Sequence, residues 1–192
     1  MKGTEKGKGM MKTQSKVNNS VLPRGWRWVR LGEVCEIIMG QSPAGTSYNP
    51  DGIGVPLLNG PTEFGSANPT AVQWTTSPTR FAEPQDILLC VRGATTGRKN
   101  IADRRYCIGR GLAAVRVRDQ MAVTDFLWFS LESITPSLLM ETSGSTFPNL
   151  PRRKLECVRI ALPPLSEQKR IAGRIQISCK RWNVPEVHAR SS

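Results

Sequence analysis

Histidine is nearly absent from this 192-residue chain, in which His188 is the single example. Imidazole-based acid–base chemistry and His-rich metal sites therefore have almost no material to work with. Cysteine occurs five times, at Cys35, Cys90, Cys107, Cys157 and Cys179, an odd number with no C-x-x-C pair. Neither a zinc site nor a disulfide framework is indicated. The first four read as small apolar residues within or beside strands, which fits a reducing cytoplasm. Long apolar runs are missing too: the longest, Ile87 to Val91, falls far short of the ~20 residues of a membrane helix. The lysine-rich N-terminus lacks the apolar stretch of a secretory signal, so a soluble, cytoplasmic protein without a membrane partner is expected. Acid is scarce as well, with 15 Asp and Glu against 27 Lys and Arg, a formal net charge of +12. Such an imbalance favours a polyanionic partner. At this length one domain is expected, burying roughly 70% of the surface its unfolded chain exposes.

The positive excess is unevenly placed. Residues 1–20 hold Lys2, Lys6, Lys8, Lys12 and Lys16 against Glu5 in a Gly/Ser/Asn-rich stretch without hydrophobic periodicity, which reads as a disordered basic arm. Residues 80–118 carry nine basic groups against three acids, and 152–181 carry nine against two, whereas 119–151 has four acids and no base. Every basic residue of 80–118 except Lys99 is Arg, the side chain suited to bidentate contacts with phosphate and guanine. A solvated basic face is the competing reading of the same charge.

Leu22-Pro23-Arg24-Gly25 marks a turn, and the alternation of Trp26 to Leu31 predicts a strand on a half-buried sheet. Val34 to Met39 reads as a second strand, closed by the loop Gly40 to Gly45. Short strands among long loops are expected to residue 84, with apolar pieces at Val55 to Leu58 and Ala71 to Trp74. Asp86 to Val91 predicts a strand buried on both faces that delivers Arg92 to Lys99 into a turn. Tyr106 to Ile108, the turn Gly109-Arg110-Gly111 and Leu112 to Val117 read as a second hairpin-like unit, with Ala113, Val115 and Val117 on one face. Thr124 and Asp125 open a helix through Phe126 to Ile134, and Pro136 is placed to start a second one. Gly144 to Asn149 reads as a loop, Leu155 to Leu162 as a strand, and Ser166 as the cap of a helix that Pro185 limits to at most roughly five turns.

No catalytic signature survives inspection. Gly93-Ala94-Thr95-Thr96-Gly97-Arg98 resembles a phosphate loop, but its glycines are one residue too close and Arg98 stands where lysine is required. Asn49-Pro50-Asp51-Gly52 and Asn68-Pro69-Thr70 lack the second proline and aromatic of an adenine-methyltransferase loop. Gly109-Arg110-Gly111 reads as a turn between strands, not as a cofactor fingerprint. Pro50-Asp51 and Glu167-Gln168-Lys169 imitate parts of a metal-dependent nuclease but lie over a hundred residues apart.

Six motifs in order carry a family resemblance: Leu22-Pro-Arg-Gly-Trp-Arg-Trp-Val-Arg-Leu-Gly-Glu-Val34, Gly40-Gln-Ser-Pro43, Asp86-Ile-Leu-Leu-Cys-Val-Arg-Gly-Ala-Thr-Thr-Gly-Arg98, Ile108-Gly-Arg-Gly-Leu-Ala-Ala-Val-Arg116, Gly144-Ser-Thr-Phe-Pro-Asn-Leu150 and Leu162-Pro-Pro-Leu-Ser-Glu-Gln-Lys-Arg-Ile-Ala172. Together they resemble one target recognition domain of the specificity subunit of type I restriction-modification systems. The resemblance implies an α/β (α+β-like) domain with a mixed, strongly twisted β-sheet, long loops and a few packed helices, followed by a long helix that is here expected only as a short C-terminal helix. It also implies a division of the chain into a basic arm (1–20), a DNA target recognition domain (21–164), the start of a spacer or dimerisation helix (165–184) and a tail (185–192). The implied subunit does no chemistry itself. It binds double-stranded DNA and directs methyltransferase (M) and restriction (R) subunits in host defence, so S-adenosylmethionine, ATP and Mg belong to those partners and this chain binds no cofactor. Pairing of two half-subunits as a homodimer is possible. The sequence departs from the expected long heptad-patterned helix after Ile175, as a truncated or frame-shifted form would.

Under that reading Lys and Arg hold phosphates while loop side chains reach base edges in the major groove. Gln41, Asn59, Arg92, Arg98, Lys99, Arg110 and Asn149 are the candidate contacts, as polar donors on Gly-rich loops. Arg92 and Arg110 brace loops equally well, and Gly93, Gly97, Gly109 and Gly111 read as backbone-geometry residues. Phe126, Trp128 and Phe129 read as core. Two alternatives stand beside this one: a single-strand binder stacking bases on Trp26, Trp28 and Trp74, and a degenerate fragment that docks a methyltransferase without reading DNA.

Overall fold

Ile87-Leu88-Leu89-Cys90 contains no polar residue, a composition that suits a strand covered on both sides. In the computed structural model, which describes residues 21–140 and 149–182, these residues form β7 (Ile87–Cys90), buried at every position. It pairs antiparallel with β10 (Leu112–Val117) and β8 (Lys99–Ile101), and β10 pairs antiparallel with β2 (Cys35–Met39), giving the order β2-β10-β7-β8. Because successive side chains of a strand point to opposite faces, this sheet divides the interior into two cores. Ile87, Leu89, Ala113, Val115, Cys35 and Ile37 enter one, while Leu88, Cys90, Leu112 and Ala114 enter the other.

The first core is covered by α2 (Thr124–Met140) and by a two-stranded ribbon of β1 (Arg27–Arg30) and β11 (Arg159–Leu162). The short helices α1 (Leu31–Val34) and α3 (Arg152–Glu156) follow β1 and precede β11. Against the second core lies a mixed sheet of β3 (Tyr48–Asn49), β5 (Gln73–Thr75), β4 (Val55–Leu58), β9 (Tyr106–Ile108) and β6 (Phe81–Ala82), in that order, with β4 and β9 parallel. Beneath it the buried Tyr106 hydroxyl reaches Asp103 Oδ1 at 2.6 Å and the Pro69 carbonyl at 3.1 Å. Burial, and then the Asp103 carboxylate, push this phenol up to about 12.

Several local expectations need correction. The segment Tyr106 to Val117 is not a hairpin: β9 and β10 belong to different sheets, because the 109–111 turn passes the chain from one layer to the next. The mixed α/β architecture holds, with its described strands divided among three sheets. Pro136 sits inside a continuous α2 instead of restarting it. Proline denies the Glu132 carbonyl its intrahelical donor, while the Thr135 hydroxyl donates to the Leu131 carbonyl at 2.6 Å. Leu155 belongs to α3, so the strand expected from there begins only at Arg159. Cys157 ends α3 two residues ahead of β11 and is exposed, whereas Cys35, Cys90 and Cys107 are buried. Burial also pushes the Cys35 thiol up to about 12.

The last helix, α4 (Leu165–Trp182), starts one residue before the expected cap, with the Pro164 carbonyl accepting from the Glu167 and Gln168 amides. Gln168 is buried at its root. Its Nε2 donates to the Pro163 carbonyl at 2.9 Å, and its Oε1 accepts from the Val123 amide at 2.8 Å, just ahead of α2. Glu167 receives the Trp26 indole N–H at 3.2 Å. The Pro-Pro-Leu-Ser-Glu-Gln motif thus ties α4 to the β1 entry and to the start of α2. The basic arm expected over 1–20, the tail and most of the Gly144 to Asn149 loop lie outside the described residues.

Candidate nucleic-acid interface

Strand direction brings distant loops to one edge. Since β4 and β9 run parallel, Asn59 and Gly109 follow their strands at the same end. Antiparallel pairing of β10 with β2 and β7 puts the ends of those two strands beside the start of β10, where Ala113 faces Met39 and Leu112 faces Cys90. Backbone hydrogen bonds then stitch the loops: Gly109 donates to the Leu58 carbonyl, Gln41 to Ile108, Gly40 to Leu112, Val91 to Gly111 and Leu150 to Val91, all at 2.8–2.9 Å. The Arg110 amide adds a bond to Ser42 Oγ at 3.2 Å.

Such close seams need small residues. A Cβ on Gly40 would lie 2.1 Å from the Gly109 carbonyl oxygen, and one on Gly111 would lie 2.7 Å from that of Asn59. These glycines are backbone-geometry residues, with the same consequence for Gly93 and Gly97, whose positive φ angles close the 92–98 turn.

Six of the seven candidate contacts meet on this rim. Gln41, Arg92, Arg110 and Asn149 are exposed, and Arg92 is bridged to Asn149 across the seam. Asn59 is half-buried, its Nδ2 donating to Gln73 Oε1 at 3.2 Å. Arg98 is exposed near the base of the β7–β8 turn, its carbonyl accepting from the Cys90 amide. Lys99 differs from the rest: its side chain is 3% exposed, its ammonium pairs with Glu132 on α2 and lies 5.0 Å from the Trp128 ring centre. In this arrangement it braces β8 against α2 and does not present itself to a ligand.

Charge pairing divides the 80–118 cluster. Arg116 makes a two-pronged contact with the buried Asp86, its Nη2 reaching Oδ2 at 2.8 Å and its Nε reaching Oδ1 at 3.0 Å, and this carboxylate holds the guanidinium still further above its usual range. Arg105 pairs with Glu83 at 3.1 Å and lies over the Phe81 ring, and Arg104 pairs with Asp103 at 3.4 Å. By contrast Arg80, Arg92, Arg98, Arg110 and Arg118 have no ion pair among the described residues, and Arg118 lies at the far end of β10, its amide bonded to the Val34 carbonyl. Arg80 was not among the sequence candidates, yet its carbonyl accepts from the Ile108 amide and its exposed side chain belongs to the rim. Thr79 was missed too; its hydroxyl donates to the Gln41 carbonyl. The signal for Arg80 was its membership of the basic stretch, whereas nothing local marked Thr79.

The tryptophans do not form a common stacking platform. Trp26 is held by Glu167, Trp28 lies on the β1–β11 ribbon and Trp74 is in β5. Phe126 is core, while Trp128 and Phe129 are half-buried beside Lys99 and Asn100. No group of three or more His, Cys, Asp or Glu side chains that could hold a metal occurs among the described residues, nor is any helix there long and apolar enough to cross a membrane.

This framework has known counterparts. Residues 23–177 match the type I restriction modification DNA specificity domain. The MjaX type I restriction enzyme specificity subunit of Methanocaldococcus jannaschii is 41% identical over 157 residues, which cover 81% of this chain and 37% of that protein. The MjaVIII specificity subunit of the same organism is 24% identical over 165 residues, covering 79% of this chain and 35% of that one. Among solved structures, the HsdS subunit from Thermoanaerobacter tengcongensis superposes with a TM-score of 0.74 at 41% identity, over 88% of this chain and 42% of that one. A chain from a structural study of type I R-M complex assembly and conformational transition gives 0.78 at 41% identity, over 90% of this chain and 43% of that one. The present chain therefore spans about two fifths of the length of these relatives.

Proposed function

The chain belongs to the type I restriction-modification DNA specificity family, and from that premise we propose that it is a non-catalytic target recognition domain reading one half of a bipartite sequence in double-stranded DNA. The observation that carries this reading is the rim: Arg80, Arg92, Arg98 and Arg110 stand without ion pairs among the described residues, interleaved with Gln41, Asn59 and Asn149 on loops from several strands. Guanidinium groups neutralise phosphates and release counterions, while Arg bidentate to guanine and Asn or Gln bidentate to adenine supply discrimination. Backbone bonds between the loops fix the relative positions of these donors before binding, which limits the ordering cost.

Residues 21–164 form the reading unit in this proposal, and 165–184 begin the helix that spaces it from a second recognition domain. M subunits and an R subunit are the proposed protein partners, in the cytoplasm. S-adenosylmethionine, ATP and Mg serve those subunits. Two copies of the chain can pair as a homodimer to restore a two-part target.

Selection of bound duplexes from a randomised pool tests the reading. Enrichment of one short motif is expected, with affinity falling along a log–log salt slope that reflects roughly four to eight phosphate contacts at ~0.9 each. No enrichment and a flat salt response would remove it. Tighter binding to single strands than to duplex would favour the stacking alternative, against which the dispersal of Trp26, Trp28 and Trp74 already argues.

A further inference from the structure

The β1–β11 ribbon carries a second basic surface that the rim does not use. Its register sets Arg30 directly opposite Arg159 and Trp28 opposite Ala161. Residues two apart on a strand share a face, so Trp28, Arg30, Arg159 and Ala161 lie together on one side. The other side, with Val29, Ile160 and Leu162, is buried in the first core. Both arginines are exposed. Like charges directly opposite one another across an antiparallel pair are destabilising, and neither arginine has an ion pair among the described residues. The neighbouring Glu33 carboxylate is bonded to the Arg30 main-chain amide at 2.9 Å. Arg159 is further oriented by the Trp28 ring, whose centre lies 5.3 Å from the guanidinium carbon.

Position matters as much as charge. β2 begins immediately after α1 on the ribbon side and ends at Met39, next to Gly40 on the rim, so the strand that joins the two sides is itself about 17 Å long, five residues at ~3.4 Å each. Duplex DNA offers a phosphate every ~3.4 Å along each strand, and the same span covers about five of them. Between the two surfaces the chain runs from Leu150 on the rim into α3, where Arg153 is exposed.

We propose that the outer face of the β1–β11 ribbon is a phosphate clamp: Arg30 and Arg159 hold the backbone of duplex DNA flanking the bases read at the rim, about half a helical turn away. An anion between the two guanidiniums converts their mutual repulsion into shared attraction. The clamp adds affinity without sequence preference, because phosphates carry no base identity. This inference rests on the DNA-reading proposal above.

The test compares the full chain with Arg30→Gln/Arg159→Gln, Arg30→Lys/Arg159→Lys and Ala161→Glu, the last adding a carboxylate to the same face while both arginines are kept. Binding is measured against salt on a short duplex and on one extended on both sides. The glutamine pair is expected to lower the salt slope by about 1.8, two contacts at ~0.9 each, and to abolish the affinity gained by lengthening the duplex. The motif selected from a random pool should not change. Lysine should keep the slope, and Ala161→Glu should weaken binding to the long duplex. If the wild type shows a steep slope that neither the glutamine pair nor Ala161→Glu alters, the clamp is wrong and the rim reading stands. If the wild type itself shows no salt-dependent duplex binding, both fall together.

Discussion

Arg110 precedes β10 and Arg116 lies near its far end, and the two are of the same residue type, yet they have opposite circumstances. Arg110 sits in the turn ahead of β10, exposed, with only its backbone engaged, while Arg116 near the other end is locked to the buried Asp86. The contrast extends across the basic stretch: Lys99, Arg104, Arg105 and Arg116 are committed to carboxylates, and Arg80, Arg92, Arg98 and Arg110 gather on the rim. Net charge therefore overstates what is available to a ligand. What decides the role of a basic residue here is whether the fold brings a carboxylate to it.

Breaking the structural half of the contrast should have the largest effect. Asp86→Ala removes the partner of Arg116 and the acceptor of the Glu83 amide, which lies 2.8 Å from Asp86 Oδ2. A loss of about 2–3 kcal/mol is expected from removing the buried carboxylate of a charge-assisted pair whose guanidinium is a third exposed, read as a lower urea midpoint. Next in size is Gly40→Ala, whose methyl meets the Gly109 carbonyl. Separating the two loops should cost roughly 1–3 kcal/mol of stability and lower DNA affinity as well, because Gln41 and Arg110 move apart.

The functional half is broken by Arg110→Gln, or independently by Arg92→Gln. Each should cost about 1–3 kcal/mol of binding if it reads a base, or lower the salt slope by ~0.9 if it holds a phosphate. Stability should stay within about 0.5 kcal/mol, as for other exposed substitutions. A variant that loses stability and binding in parallel would place that arginine with Arg116 instead. The smallest effect sharpens the division: Lys99→Met should leave the salt slope unchanged despite removing a charge from the centre of the basic stretch. A slope lowered by ~0.9 would return Lys99 to the DNA-contacting group.

Much of the local structure was legible beforehand. Val55–Leu58 and Ile87–Cys90 form strands where short apolar runs end at turn residues, and the two-sided burial of β7 follows from its unbroken apolar composition. The helix start at Thr124 was legible from its polar residues ahead of an apolar run. Less legible were places where two layers compete for one segment. Tyr106 to Val117 has the pattern of a hairpin, but its halves bury their side chains better in separate sheets. Leu155 was drawn into α3 because its side chain reaches the first core from a helical turn.

Composition and order of motifs by themselves determined that this is a basic, mixed α/β chain of the specificity family, since apolar spacing and turn residues act locally and leave their mark in the sequence. Tertiary structure alone decided which arginines are free. Asp86 lies 30 residues from Arg116, and Glu132 lies 33 from Lys99, separations that no local pattern encodes. The parallel pairing of β4 with β9 likewise gathers Asn59, Arg110 and Gln41 into one rim. Pairing of charges and convergence of loops depend on distance in space, which is fixed only when the strands find their neighbours.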